Sequence, residues 1–170
     1  MKRYFIMFVI FLVALSLPGT LFHYLSWAGI KPDLPMLWAI YLALHHRPSQ
    51  GIGYGFIVGL FTDLYIGRYI GLNTITFAVV GFLISFLQQR WYKENIPLTM
   101  VLVFIATALG QTLLVLIAKA AGLHWFVGEA LQIIIGIAFY NSLLVPITYP
   151  LIHRAFTSGC LYKKTEFEQR

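Results

Sequence analysis

The chain is short of charge. Only 11% of its 170 residues are Asp, Glu, Lys or Arg, against roughly 25% in soluble domains. So little charge cannot cover a surface that faces water. Cysteine is also scarce: Cys160 stands alone, which excludes an internal disulfide. There is no alternation of polar and apolar residues over the roughly ten positions of a membrane β-strand, so a barrel is excluded. HExxH, GxSxG, CxxC and Walker-type loops are missing, and no nucleophile–base pair stands out. These absences argue against an enzyme. Gly51-x-Gly53-x-Gly55 follows an apolar run, and no Lys-Ser/Thr comes after it, so it is not a phosphate cradle. His45 and His46 are adjacent, about 100° apart on a helix, a poor spacing for one metal. His23, His124 and His153 have no carboxylate or thiol at ligand spacing. No metal and no cofactor is expected. The net charge of +6 does not point to nucleic acid, because the basic residues sit at the ends of apolar runs, as topology signals do.

What the chain has is apolar length. It is 59% hydrophobic, with a mean hydropathy of +0.79. Only helices and closed barrels satisfy their backbone in lipid, so the fold class is all-α, a polytopic membrane protein. Residues 1–170 form one transmembrane helical domain, and 153–170 are a short basic tail. Lys2 and Arg3 precede an apolar run that continues to Trp27, too long for a signal peptide. It reads as a retained first helix.

Six helices are expected. The first runs Tyr4 to Trp27, bent at Pro18-Gly19. The second, Leu34 to Leu44, is short: about 16 Å against a hydrocarbon core of about 30 Å. The third spans Gly51 to Ile66 and the fourth Thr74 to Leu87, with a turn or re-entrant piece, Gly67 to Asn73, between them. A polar loop, Gln88 to Asn95, leads to the fifth, Ile96 to Ala118. The sixth, Glu129 to Ile152, carries Pro146 and Pro150, which should kink its last turns. No loop has room for a soluble domain.

Charge sets the topology. With the N-terminus inside and six spans, Lys2, Arg3, Arg47, Arg90, Lys93, Arg154, Lys163, Lys164 and Arg170 fall inside. Lys31, Arg68 and Lys119 fall outside, which is nine against three, as the positive-inside rule requires. Fusing the second and third helices leaves only Lys2, Arg3, Arg68 and Lys119 inside, which is four. The six-span arrangement collects Asp33, Asp63 and Glu129 at outer helix ends, as loop charges in water or as a polar mouth or docking patch. Trp27 and Trp125 outside and Trp91 inside suit interfacial belts.

Within the third helix and the turn after it, Gly51, Gly55, Gly59, Asp63, Gly67 and Gly71 recur every fourth residue. Positions i and i+4 share a helix face. Small-xxx-small stripes let another helix approach closely. Gly51 to Gly59 therefore read either as packing within the chain or as a groove for a partner's helix. An ionisable residue beside an apolar span is a functional-site hypothesis by default. Asp63 stands at the C-terminal end of its helix, against the macrodipole. Its reason for being acidic is Arg68, the amides of the fourth helix, or a basic group on a partner, the last being favoured. Gln111, Gln132 and Asn141 lie inside apolar runs and read as interhelical glue or substrate contacts.

Pro32-Asp33-Leu34, then Gly51, Gly55, Gly59-Leu60-x-x-Asp63, then Gly71-Leu72-Asn73, in this order and spacing, resemble the rod shape-determining MreD family, and the whole chain fits in length and layout. The resemblance implies a non-enzymatic subunit of the bacterial inner membrane. It implies binding of MreC, a single-span coiled-coil protein, in an assembly with MreB, RodA and a class B penicillin-binding protein. That assembly supports lateral peptidoglycan synthesis and rod shape. It also implies a fold similar to the six-helix substrate-binding subunits of energy-coupling-factor transporters. On this reading Gly51, Gly55, Gly59, Asp63, Gly67, Gly71 and Asn73 form the partner surface, with Asp33, Arg68 and Glu129 as secondary outer-face residues. The alternative is a transporter subunit binding a vitamin-like molecule in an outer cavity lined by Asp63, Gln111, Gln132, Asn141 and aromatics.

The topology carries a direct test. With both termini cytoplasmic, Cys160 is shielded, and a membrane-impermeant thiol reagent added to intact spheroplasts should leave it unlabelled. Ready labelling would overturn the six-span count.

Overall fold

The computed structural model describes residues 9–16, 30–67, 69–91, 95–122 and 127–157. Six helices lie among them: α1 (9–16), α2 (Leu34–Leu44), α3 (Pro48–Ile66), α4 (Leu72–Trp91), α5 (Ile96–Ala120) and α6 (Val127–Thr157). No strand occurs among the described residues. The bend at Pro18-Gly19, Trp27, Trp125, Arg68, Cys160 and most of the tail lie outside them. The second helix has the bounds its sequence suggests. α3 starts three residues earlier than expected, because Pro48 fills its first turn, where a missing N–H costs nothing. α4 runs on through Gln88 into the expected polar loop. α6 continues past Pro146 and Pro150 to Thr157, into the expected tail.

The solvent pattern is inverted. α2 is buried over its whole length, at the centre of the bundle. It touches α3, α4, α5 and α6, and the outer helices pair in order, α3 with α4, α4 with α5 and α5 with α6. α1 joins through Phe11, edge to face with Phe61 of α3 at 6.0 Å. Along α6, Leu131, Ile135, Phe139, Leu143, Ile147 and Leu151 point outward, 53–68% exposed. The buried polar side chains include Thr62, Thr76, Ser85, Thr107 and Asn141. So large an apolar surface excludes water as its solvent. Ile96–Ala120 and Gly128–Ile152 are long and apolar enough to cross a membrane.

The ends of α2 are tied down by side chains. At its start Asp33 Oδ1 accepts from the Met36 amide at 3.0 Å. At its end the Nδ1 atoms of His45 and His46 bond the carbonyls of Tyr41 and Leu42 at 2.8 and 2.7 Å. Ser85 of α4 donates to the Ala43 carbonyl at 2.8 Å. These groups satisfy carbonyls that every helix end leaves open.

α3 and α4 meet backbone to backbone along the glycine stripe. A Cβ on Gly59 would lie 2.6 Å from Thr74 Cα, and one on Gly55 2.7 Å from the Phe77 carbonyl carbon. One on Gly51 would meet the Gly81 carbonyl oxygen at 2.6 Å. α4 thus fills the face that the sequence left open to a partner helix. The groove is a seam within the chain, because only the absence of side chains lets two helices of one hairpin come this close.

Gly55→Leu or Gly59→Leu should therefore act on folding. The atoms in the way are backbone and cannot swing aside, so each change should cost about 1–3 kcal/mol or more. Thermal unfolding in mild detergent measures it. A wild-type midpoint for both variants would show that the seam tolerates side chains.

Candidate functional site

Asp63 lies in the last turn of α3 and is 1% exposed. Both carboxylate oxygens receive donors from the start of α4. Oδ2 accepts from the amides of Gly71 and Thr74, each at 2.9 Å, and from the Thr74 hydroxyl at 2.6 Å. Oδ1 accepts from the Asn73 amide at 3.1 Å and the Asn73 side-chain Nδ2 at 2.9 Å. The first amides of any helix lack partners. An N-cap side chain normally takes those at the second and third positions. Here the residue before α4 is Gly71, which has no side chain, and Asp63 supplies the cap from eight residues upstream. Gly67 (φ 67°) and Gly71 (φ 111°) turn the chain between, in the left-handed region that glycine tolerates.

Of the three reasons for an acid at position 63, Arg68 lies outside the described residues, and the geometry decides between the other two. Its own helix end repels it, but the positive end of α4 faces it, and an anion there is favoured. The amides of α4 are the partner, not a group on another protein. A carboxylate with five donors has no acceptor capacity left for a second protein to use.

A second polar cluster lies between α2, α5 and α6, with Gln111, Asn141 and Thr107 buried and Asp33 half-buried. Asp33 was expected at the outer face, yet it joins Gln111 and Asn141, near the middle of the two spanning helices. Gln111 Nε2 donates to Asp33 Oδ2 at 2.8 Å. Asn141 pairs with the Asp33 backbone in both directions, Oδ1 accepting from its N–H and Nδ2 donating to its carbonyl, each at 3.1 Å. Asn141 Nδ2 also reaches Thr107 Oγ1 at 3.4 Å. The Ile30 side chain covers Gly136 of α6. The chain before α2 therefore lies along α6 from Gly136 to Asn141, and this carries Asp33 inward. Gln132 and Glu129 are exposed on α6 and take no part.

The structure thus brings Asp63, Gly71 and Asn73 into one group and Asp33, Gln111 and Asn141 into another. Thr74 and Thr107 complete these groups and were not foreseen. Thr74 was legible as the third residue after a helix-opening glycine, but Thr107 carries no local signal. The turn after Asp63 was expected to meet a partner, but the apolar side chains of the hairpin tip were not singled out. Leu64, Tyr65, Ile66, Tyr69 and Ile70 are 43–68% exposed there. Among the described residues no three His, Cys, Asp or Glu side chains could hold a metal.

The model of the family described as rod shape-determining protein MreD matches residues 1–155. The chain belongs to the MreD family. No curated protein and no solved structure matches it. Membership assigns the chain a role in rod shape determination, within a family of membrane proteins. In these terms the family-like stretch from Gly51 to Asn73 is one structural unit, a helical hairpin closed by its own acid.

Removing that acid exposes the donors of α4 inside the protein. Asp63→Ala should cost at least about 2 kcal/mol, since each buried donor left bare costs about 1–3 kcal/mol. Asp63→Asn should also destabilise, because its amide nitrogen faces N–H groups where an oxygen stood. Unfolding midpoints in detergent check both. Wild-type stability in Asp63→Ala would mean that the cap is dispensable.

Proposed function

We propose that this chain is a non-enzymatic scaffold subunit of the bacterial elongation complex. It sits in the inner membrane with six spans and both termini in the cytoplasm, in an arrangement like that of energy-coupling-factor substrate-binding subunits. It binds MreC, and through MreC it joins MreB, RodA and a class B penicillin-binding protein. In that assembly it supports lateral peptidoglycan synthesis and rod shape. Family membership supports the system. The observation that carries the contact is the tip of the α3–α4 hairpin, which the positive-inside count puts on the outer side.

Tyr65, Ile66, Tyr69 and Ile70 are exposed there, on a turn that the Asp63 cap holds in one shape. Interfaces are anchored by such rigid aromatic and aliphatic groups. With the glycine stripe and Asp63 engaged inside the chain, the tip is the part of the expected partner surface whose apolar side chains are exposed. Gly67 and Gly71 serve the contact by shaping it.

The transporter reading has less support. A cavity of about 150 Å³ lies between α1, α2 and α6, lined mostly by apolar groups such as Ile10, Leu37 and Trp38, with Tyr41 and Thr148 bonded to each other in its wall. Small-molecule sites usually measure about 300–1,000 Å³ and carry a few convergent polar groups. Asp63, Gln111 and Asn141 face other parts of the chain, not this space.

Co-purification with tagged MreC in mild detergent tests the proposal. The double change Tyr65→Ser, Ile70→Ser should leave the unfolding midpoint unchanged and lower MreC recovery about tenfold, the loss expected for roughly 1.4 kcal/mol at an anchor. Undiminished recovery would move the contact elsewhere. Failure of the wild-type chain to retain MreC would overturn the scaffold itself.

A further inference from the structure

The cavity between α1, α2 and α6 is a slot that runs with the helices. Its α2 wall is Leu34, Leu37, Trp38 and Tyr41, at i, i+3, i+4 and i+7 on one face. That is about 10 Å of helix. Ile10 and Ala14 of α1 line one side, and Thr148 and Ile152 of α6 the other, each pair again one turn apart. The slot reaches the bundle surface beside Val13 of α1, which is 50% exposed.

The polar atoms of the wall are turned to the protein. The Tyr41 hydroxyl and Thr148 Oγ1 lie 2.7 Å apart, and Thr148 donates to the Leu144 carbonyl at 2.7 Å. Such a wall suits an apolar occupant. Water needs two to four polar partners to settle in a cavity, and an empty space forfeits packing contacts. A dry apolar cavity of about 150 Å³ admits benzene, so this slot, of about that volume, has room for about six carbons of a lipid chain.

The two ends of the slot differ in charge. At the Leu34 end stands Asp33. Past Tyr41 the same face of α2 reaches the half-buried His45, and exposed Arg47 follows the helix. Past Ile152 the sequence of α6 continues as His153-Arg154, and before Ile10 the chain carries Lys2-Arg3. No acid occurs in residues 1–10, 45–50 or 152–154. An apolar slot with a basic end repeats the order of parts in an anionic phospholipid, and basic pockets between spanning helices on the cytoplasmic side suit such headgroups.

We infer that the slot is a binding site for one anionic phospholipid of the inner leaflet, with part of an acyl chain between α1, α2 and α6 and the phosphate headgroup at the basic end. The leaflet follows from the topology proposed above. The slot and its basic end do not depend on that topology or on the partner contact.

Trp38 reports on the slot. It lines the cavity and is 3% exposed, so lipid chains that merely surround the bundle do not touch it. With Trp27→Phe, Trp91→Phe and Trp125→Phe, it is the last tryptophan, and bromine on an acyl chain quenches its emission on contact. In nanodiscs of the full chain, chain-brominated phosphatidylglycerol should quench Trp38 at a mole fraction about fivefold lower than chain-brominated phosphatidylcholine, the preference that about one basic residue near the surface supports. Unbrominated phosphatidylglycerol should compete and restore the emission, a readout that needs no change in the slot. Ala14→Phe, which fills the slot, should abolish quenching at an unchanged unfolding midpoint. His45→Gln with Arg47→Gln should keep the quenching and lower the preference for the anionic lipid below twofold. Unquenched Trp38 would overturn the proposal, and a dimeric mass lost in Ala14→Phe would then give the slot to a second copy of the chain. Equal quenching by the two lipids would also overturn it, as the mark of ordinary solvating lipid.

Discussion

The carboxylate of Asp63 against the first amides of α4 is the interaction on which the rest of the hairpin depends. It joins the C-terminal end of one helix to the N-terminal end of the next. Taken alone, each end is an unfavourable place in lipid: one gathers carbonyls, the other leaves donors bare. Set together, the acid of α3 answers the donors of α4. The same bonds set the register in which Gly59 meets Thr74, Gly55 meets Phe77 and Gly51 meets Gly81. A shift of α4 along α3 would break the cap and drive side chains into backbone at once.

With that hairpin fixed, α2 has a wall to rest on. Eleven residues cannot cross a bilayer, and α2 is stable as a buried core because other helices surround it and both its ends are bonded. The arrangement reverses that of a soluble bundle. Threonine, serine, asparagine and glutamine are inside, bonded to carbonyls and to each other, while leucine, isoleucine and phenylalanine face outward. Lipid gives no hydrophobic reward for burying apolar groups, so close packing and internal hydrogen bonds hold the helices together. Both acids of the bundle follow this rule. Asp63 meets its donors one helix end away, and Asp33, half-buried, meets the Met36 amide and the Gln111 side chain.

Much of this was legible beforehand, and the errors have one source. The α-helical class, the bounds of α2 and the importance of Gly51 to Asn73 follow from apolar length, from proline and glycine, and from four-residue spacing, all of which are local. The use of the stripe was not legible, because spacing says that a helix can come close but not which one. The favoured role for Asp63 was an outside partner, since the acid opposes its own helix dipole. The group that answers it lies beyond the turn, where helix periodicity does not reach. Asp33 was assigned to an outer face because each helix end was placed at a membrane surface. A helix of eleven residues that starts half-way through the bundle breaks that assumption.

The sequence by itself determined the solvent of this protein, its helical class and the residues too small or too polar to be chance. These depend on composition and on contacts within a few residues along the chain. Only the tertiary structure decided that α4 and no other helix lies on the glycines, and that Asp33, Gln111 and Asn141 share one cluster. Those outcomes join residues up to 108 positions apart. They depend on how deep each helix sits and how it is turned about its axis. Depth and rotation are set by the packing of all the helices together, which no single segment encodes.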